Sequence, residues 1–127
     1  SVIKRRRLIV LEAVMALEAG DREEIRVKME ELAARRKEKQ PLEFASAGST
    51  FKRPEGYFAG KLIMEAGLRG YGVGGARVSE KHCGFVINAG EACAADIAAV
   101  IKEVQRRVKE HSGVSLETEV IFLGDFA

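Results

Sequence analysis

Glycine is concentrated in the middle of this sequence, and its placement limits how long the secondary structure there can be. Ten of the 13 glycines lie between Gly48 and Gly90. Because glycine favours turns and weakens the interior of helices and strands, we expect only short elements in that region. Any long regular element must therefore come from the segments on either side of it.

The segment before the glycine-rich region has the pattern of an amphipathic helix. Asp21 is a suitable N-cap, and Glu24 completes a capping box three residues later. We expect the helix to end near Lys39, because Gln40 precedes a proline and such residues avoid the helical conformation. One face of this helix carries apolar residues at helical spacing: Ile25, Met29, Leu32 and Ala33.

The segment after the glycine-rich region predicts a second long helix with an apolar stripe. Cys93 occupies the N-cap position, Asp96 follows at the third helical position, and Gly113 lies at the expected end. The stripe repeats at the spacing of a buried helix face: Ile97, Val100, Ile101, Val104 and Val108. Between the two long helices, residues 59–66 predict a short helix that Gly67 closes.

Four segments are expected to be strands. The apolar run LIVLEAVMAL at 8–17 favours a buried strand, although its periodicity does not exclude a buried helix. Residues 77–79 with 83–88 have strand-like composition, and 116–123 alternates between two faces. The order of elements predicts an α+β fold, in which a small sheet packs against two longer helices and one short helix.

The composition is that of one folded domain. The 127 residues are 46% apolar and 31% charged, which allows a modest hydrophobic core. The net charge of +2 is smaller than the basic excess typical of nucleic-acid-binding proteins, so we expect no nucleic-acid partner. No apolar run reaches about 18 residues, which argues against a membrane span. Glu12 interrupts the basic and apolar start, which argues against a secretory signal.

The cysteines and histidines predict neither a disulfide framework nor a metal site. Cys83 and Cys93 have no zinc-binding spacing, and His82 and His111 are far apart in the sequence. We expect Cys83 to be a buried free thiol, which is typical of a reducing compartment.

Two glycine-rich motifs resemble nucleotide-binding sequences without their structural context. GYGVGG at 70–75 satisfies G-x-G-x-x-G, but a helix is expected before it and a strand after it, which reverses the dinucleotide-binding order. GYFAGKL at 56–62 has one residue too few between its glycines for a phosphate loop, and no hydroxyl residue follows Lys61. Tight backbone turns account for these glycines better.

The stretch SAGSTFKRP at 46–54 combines the groups that bind an anion. Gly48 allows a sharp bend, Ser49 supplies a hydroxyl, and Lys52 and Arg53 supply cations. A plain structural loop remains an equal alternative. Without an identifiable base beside it, Ser49 is a poor nucleophile, but its hydroxyl suits a proton donor or an oxyanion donor.

Three longer stretches together resemble one enzyme family. They are KQPLEFASAGSTFKRPEGYFAGKLI, AGLRGYGVGGARVSEKHCGFVIN and, near the end, LETEV. Their order and spacing resemble the C-terminal part of the UDP-N-acetylenolpyruvoylglucosamine reductases, also called UDP-N-acetylmuramate dehydrogenases. The resemblance covers essentially the whole chain, and it implies the α+β fold of that family's C-terminal domain.

The resemblance implies a cytoplasmic flavoenzyme of peptidoglycan precursor synthesis, with FAD as cofactor, NADPH as reductant and a UDP-sugar as substrate. A hydride would reduce the enolpyruvyl double bond, and Ser49 would then protonate the resulting enol. Glu119 would support the region of the enolpyruvyl carboxylate, and its burial would favour the neutral carboxyl. Without the resemblance, the favoured interpretation is that one of Glu117 and Glu119 protects a sheet edge. The substrate-binding residues expected from the motif and the family are Lys39, Lys52, Arg53, Lys81 and His82.

The resemblance also divides the chain and identifies departures from the family. Residues 1–20 would be the tail of a flavin-binding domain that precedes this sequence, and 21–127 the substrate-binding domain. Ser1 would belong to a family motif whose catalytic arginine precedes it, so this chain alone would be inactive. Arg77 and Ile121 stand where the family often has glutamine and a basic residue. The alternatives are a nucleotide-sugar or anion-binding module without redox activity, and a structural piece that docks onto a flavin domain.

Overall fold

The computed structural model describes residues 2–6 and 8–125, without the side chain of Lys4. Ser1, to which a family motif was assigned, therefore lies outside the described residues. The helices are α1 (Val2–Arg6), α2 (Arg22–Lys39), α3 (Ala59–Glu65) and α4 (Ala94–Ser112), and the strands are β1 (Ala45–Ser49), β2 (Gly72–Val73), β3 (Ala76–Val78) and β4 (Phe85–Asn88). The described chain forms two compact units, divided between Leu32 and Ala33.

The second unit contains an antiparallel sheet in the order β1-β4-β3-β2. Strand β4 pairs with β1 on one side, where Ala45 lies opposite Asn88, and with β3 on the other, where Val78 lies opposite Val86. Strands β2 and β3 form a tight hairpin, in which Val73 pairs with Ala76. The motif GYGVGG therefore forms the turns that its glycines predict, and also a hairpin that was not predicted.

Helix α4 covers this sheet and contacts β2, β3, β4 and α3. Its apolar stripe is buried as predicted, since Val100, Ile101 and Val104 are at most 2% exposed. The N-cap is the predicted one: Cys93 donates its N–H to Asp96 Oδ2 at 3.0 Å, and Gly113 ends the helix in the left-handed conformation. The predicted α+β architecture is confirmed.

Helix α2 has the predicted boundaries but not the predicted burial. Asp21 caps it by accepting the N–H groups of Glu23 and Glu24 at 2.9 and 3.0 Å. None of its side chains is buried, and Ile25 and Leu32 are about half exposed. The expected packing of this helix through its apolar face is therefore not found among the described residues.

The predicted strand at 8–17 does not form. Residues 8–21 have no regular secondary structure, and Leu11 and Val14 are almost fully exposed. A strand requires a partner to pair its backbone N–H and C=O groups, and no described strand pairs with this segment. The composition alone could not show whether such a partner lies within this chain.

The predicted strand at 116–123 is reduced to one antiparallel bridge, between Phe51 and Thr118. Two hydrogen bonds flank the bridge: Lys52 N–H donates to Glu117 O, and Glu119 N–H donates to Thr50 O, both at 2.9 Å. The ladder extends no further because the Thr50 N–H donates to Gly84 O instead. The alternation is still visible, since Leu116 is buried while Glu117 and Glu119 are exposed.

No helix among the described residues is long and apolar enough to cross a membrane.

Candidate functional site

A cleft of about 460 Å³ lies beside the end of β1 and the start of α3. It contains three of the residues predicted from the sequence, Ser49, Arg53 and His82. Among the other lining residues are one aromatic ring and two further cations: Phe58, Lys61 and Arg69. The cleft thus combines a hydroxyl group, positive charge and an apolar surface, a combination suited to an organic anion.

Ser49 reaches the cleft from the end of a strand, not from the loop expected for SAGSTFKRP. The first four residues of this stretch, 46–49, lie in strand β1, whose register with β4 shifts between Ser46 and Ser49. Gly48 has a φ of +85°, a conformation that favours glycine, so the backbone turns immediately before the serine. Ser49 Oγ donates a long hydrogen bond of 3.4 Å to Phe51 O, which a better acceptor could replace.

Arg53 is held by two contacts from the turn that follows it. Its guanidinium lies 4.0 Å from the centre of the Phe58 ring, and its Nε donates to Tyr57 O at 3.3 Å. The turn closes through the Tyr57 N–H, which donates to Pro54 O at 3.2 Å, and Gly56 has a φ of +75°. The sequence RPEGYF thus folds back beneath its own arginine.

His82 lies in a space kept open by two glycines. The Gly84 N–H donates to His82 Nδ1 at 3.1 Å, so the neutral ring carries its proton on Nε2. A Cβ atom at Gly84 would lie 2.9 Å from His82 Cε1, and one at Gly60 would lie 3.3 Å from the same atom. Both positions therefore favour glycine for this ring orientation.

Cys83, beside this histidine, is a buried free thiol as predicted. Burial raises the pKa of the Cys83 thiol above its ordinary value, and the charge of Arg69 partly opposes that shift. Cys83 therefore contributes a neutral, apolar surface to the cleft. Among the described residues, no group of three or more His, Cys, Asp or Glu side chains could hold a metal ion.

Sequence reasoning missed Lys61 and Arg69. Lys61 was weighed only as part of a phosphate loop, although positions three residues apart on α3 share a face, and Phe58, Lys61 and Met64 all line the cleft. Arg69 gave no local signal. It donates to the Glu80 carbonyl and, at 3.1 Å, to Met64 Sδ, so tertiary contacts bring it to the cleft.

Two predicted substrate-binding lysines form ion pairs outside this cleft. Lys52 Nζ lies 2.8 Å from Glu117 Oε2, and Lys81 Nζ lies 2.6 Å from Glu43 Oε1. The hydrogen bond from Lys81 holds the pKa of Glu43 below its ordinary value. Lys39 is in the last turn of α2 and is not among the residues that line the cleft.

Glu119 lies close to Ser49 along the backbone without lining the same cleft. Its N–H donates to the carbonyl of Thr50, the residue after Ser49, yet the cleft wall does not include Glu119. The hydrogen bond to Glu117 raises the pKa of Lys52, and the charge of Glu119 adds a smaller increase. Glu119 is exposed among the described residues, which differs from the burial expected for it.

Comparisons with known proteins agree with this architecture. Residues 40–123 match the sequence model of the family described as "UDP-N-acetylenolpyruvoylglucosamine reductase, C-terminal domain". UDP-N-acetylenolpyruvoylglucosamine reductases from Lachnoclostridium phytofermentans and Agathobacter rectalis are 61% and 60% identical over 98% and 99% of this chain. The crystal structure of the Thermus caldophilus reductase is 39% identical, covers 82% of this chain and superposes with a TM-score of 0.64.

The match covers only part of each relative. This chain spans 40% of the length of the two curated relatives and 36% of the Thermus caldophilus chain. Within this chain, the match to the family model begins at residue 40, directly after α2, and contains the sheet, the cleft and α4. The chain therefore belongs to the UDP-N-acetylenolpyruvoylglucosamine reductase family, and residues 40–123 are its C-terminal domain.

Proposed function

We propose that this chain is the substrate-binding and catalytic C-terminal part of a cytoplasmic flavoenzyme of peptidoglycan synthesis. The complete enzyme would use FAD and NADPH to reduce UDP-N-acetylglucosamine enolpyruvate to UDP-N-acetylmuramate. The observation that carries the proposal is the cleft in which the Ser49 hydroxyl lies among the side chains of Arg53, Lys61 and Arg69. Family membership favours this function over a binding module without redox activity.

The glycine-rich motif of this chain does not form a dinucleotide-binding turn of the strand–turn–helix kind. Residues 70–75 lead into the β2–β3 hairpin instead. At Gly74, an added Cβ would lie 2.5 Å from Asp96 Oδ2, so a carboxylate occupies the space beside the glycines. We therefore assign FAD binding mainly to a flavin domain outside this chain, and residues 1–20 to the tail of that domain.

The contribution of this chain is substrate binding and proton donation. The cleft's cations would bind the diphosphate of the UDP-sugar by charge-assisted hydrogen bonds. The Ser49 hydroxyl would give up its weak hydrogen bond to Phe51 O and point toward the carbanion-like enol. It would then donate its proton to that enol. Lys52 and Lys81 would contact substrate only after their ion pairs with Glu117 and Glu43 open. Lys39 and His82 remain proposed substrate contacts.

Replacing Ser49 with alanine in the complete enzyme tests the proton-donor role. We expect reduction of the flavin by NADPH to be unchanged and reoxidation by the UDP-sugar to slow by about 100-fold or more, the scale of a lost general acid. Stopped-flow absorbance of the flavin separates the two half-reactions, and Ser46→Ala on the same strand is the matched control. An unchanged reoxidation rate removes Ser49 from the mechanism.

Two substitutions of Glu119 test whether its neutral form is the working one. Glutamine keeps the shape and a hydrogen-bond donor, so Glu119→Gln should retain part of the reoxidation rate, whereas Glu119→Ala should not. Because Glu119 is exposed, a neutral form would require cover from the rest of the enzyme or from substrate. Equal loss in both variants contradicts a neutral carboxyl, and Glu110→Gln on α4, which pairs with Arg106, serves as the control.

A further inference from the structure

Phe58 is an exposed aromatic residue whose position is not explained by the core. Its side chain is 60% exposed, and it occupies the N-cap position of α3 in an extended conformation without a side-chain capping bond. The buried residues of α3 are Leu62 and Ile63, on another part of the helix. The Phe58 ring instead stacks with Arg53, whose Cζ atom lies 4.0 Å from the centre of the ring.

The stack leaves the outer edge of Arg53 available to a ligand. Its Nε donates to Tyr57 O, and one guanidinium face lies against Phe58. Within residues 8–125, neither Nη1 nor Nη2 of Arg53 has a hydrogen-bond partner. A guanidinium fixed in this way presents a planar pair of N–H donors, the geometry that matches phosphate oxygens bidentately.

The other two cations of the cleft are already engaged. Arg69 donates through both terminal nitrogens, to Glu80 O and Met64 Sδ. Lys61 lies 3.7 Å from Glu65 on the same helix, and its flexible stem carries a point charge with no fixed plane. Arg53 is thus the cleft cation whose donors are both unpaired and held in a defined orientation.

We infer that Phe58 is a positioning residue for the UDP-sugar diphosphate, which it serves by holding the Arg53 guanidinium in its binding orientation. The inference rests on the proposed function and deepens it, because it identifies how this chain selects a diphosphate. A preoriented arginine loses less side-chain freedom on binding, so the stack lowers the cost of complex formation. The contribution belongs to binding and is equal in the ground and transition states, so it acts on KM and leaves kcat unchanged.

Single substitutions in the complete enzyme measure the effect. Phe58→Leu removes the ring but keeps an apolar side chain, and we expect the KM for the UDP-sugar and the Kd for UDP to rise about two- to five-fold, the range of an exposed cation–π contact. The kcat should stay within about two-fold of wild type. Phe58→Tyr keeps an aromatic ring against Arg53, so the KM for the UDP-sugar and the Kd for UDP should stay at their wild-type values. Tyr57→Leu changes the adjacent exposed aromatic, keeps the carbonyl that binds Arg53, and should have no effect.

A double-mutant cycle decides whether Phe58 acts through Arg53. In an Arg53→Ala background, Phe58→Leu should change neither the KM for the UDP-sugar nor the Kd for UDP any further. The inference is overturned if the Phe58→Leu effect persists in that background, if Tyr57→Leu weakens UDP binding equally, or if Phe58→Leu changes kcat alone.

Direct binding keeps the inference separate from the proposed function. Calorimetric titration with UDP and with inorganic pyrophosphate requires no turnover, so the coupling between Phe58 and Arg53 can be measured even if the enzyme does not reduce the UDP-sugar. Coupling without turnover supports the diphosphate site and contradicts the proposed reaction. Turnover without coupling supports the proposed reaction and contradicts the role of Phe58. Failure of the wild-type enzyme to bind UDP or pyrophosphate also overturns the inference.

Discussion

Helices α2 and α4 have similar lengths, but their apolar residues are distributed differently. Those of α4 are concentrated on one face, whereas those of α2 are fewer and are spread among charged residues, so α2 has almost no net amphipathic character. Both begin at a predicted N-cap, and both repeat apolar residues at helical spacing. Helix α4 buries five side chains against the sheet and α3, while α2 buries none. Ile101 is 2% exposed, and Ile25, at a comparable stripe position, is 49% exposed. A few apolar residues at helical spacing therefore do not predict burial, whereas a concentrated apolar face such as that of α4 does.

A different limit applies to the apolar segment 8–17, whose strand prediction was wrong. A buried strand is stabilised by its neighbours in a sheet, and the sequence of the strand does not identify them. Elements whose signals are local were predicted well, such as the turns at 70–75 and the strand-like residues at 77–79, although the pairing of β2 with β3 was not predicted. Helix α4 was also predicted well, since its stripe, cap and stop signals all agree with its packed position.

The largest expected effect in this comparison is on stability. Ile101→Ala in α4 should lower the free energy of unfolding of this chain by about 2–5 kcal/mol, because it leaves a cavity in the core. Ile25→Ala in α2 should change it by less than about 0.5 kcal/mol, because the side chain buries little surface. Urea unfolding followed by near-UV signals measures both. Comparable losses would show that α2 contributes to the same cooperative unit as α4.

The candidate site was predictable in part, and the limits have a physical origin. Ser49, Arg53 and His82 lie at one cleft, because the residues around Ser49 and Arg53 are one continuous stretch and β4 pairs with β1. Glu119, expected to act at the same site as Ser49, does not line that cleft, and the roles of these residues stay predictions. Lys52 and Lys81 were expected to be available but are paired with Glu117 and Glu43, which no local pattern could reveal. Arg69 was missed because its place depends on tertiary contacts.

A smaller effect is expected from the caps of the two helices. Asp96 accepts the N–H group of Cys93, a bond that lowers its pKa, and its carboxylate lies beside Gly74 in the β2–β3 turn. Asp96→Ala should reduce the urea midpoint of the chain, by less than Ile101→Ala does. Asp21→Ala removes a cap that serves α2 alone. It should reduce the helical circular-dichroism signal and leave the tertiary midpoint unchanged; a shift of that midpoint contradicts the contrast between the helices.

The smallest expected effect concerns the pH dependence of the stability of the fold, to which α4 contributes and α2 does not. On α4, hydrogen bonds from Arg106 and then Arg107 lower the pKa of Glu103 from 4.5 to about 2, and Arg107 also stacks on the Tyr71 ring at 4.8 Å. Because the pKa is lower in the folded state, this stabilisation is present above pH 4.5 and is lost as the pH falls from 4.5 through about 2.

Glu103→Gln should therefore flatten the stability of the chain between pH 4.5 and 2, as measured by thermal unfolding across that range. On α2, Arg26 lowers the pKa of Glu23 in the same direction, but both side chains are more than half exposed on a helix that buries nothing. Glu23→Gln should thus leave the tertiary unfolding transition unchanged at every pH. The carboxyl group that it removes is coupled only to local formation of α2. If Glu23→Gln flattens the profile as much as Glu103→Gln, then α2 unfolds together with the sheet, and exposure of its apolar face does not make it an independent element.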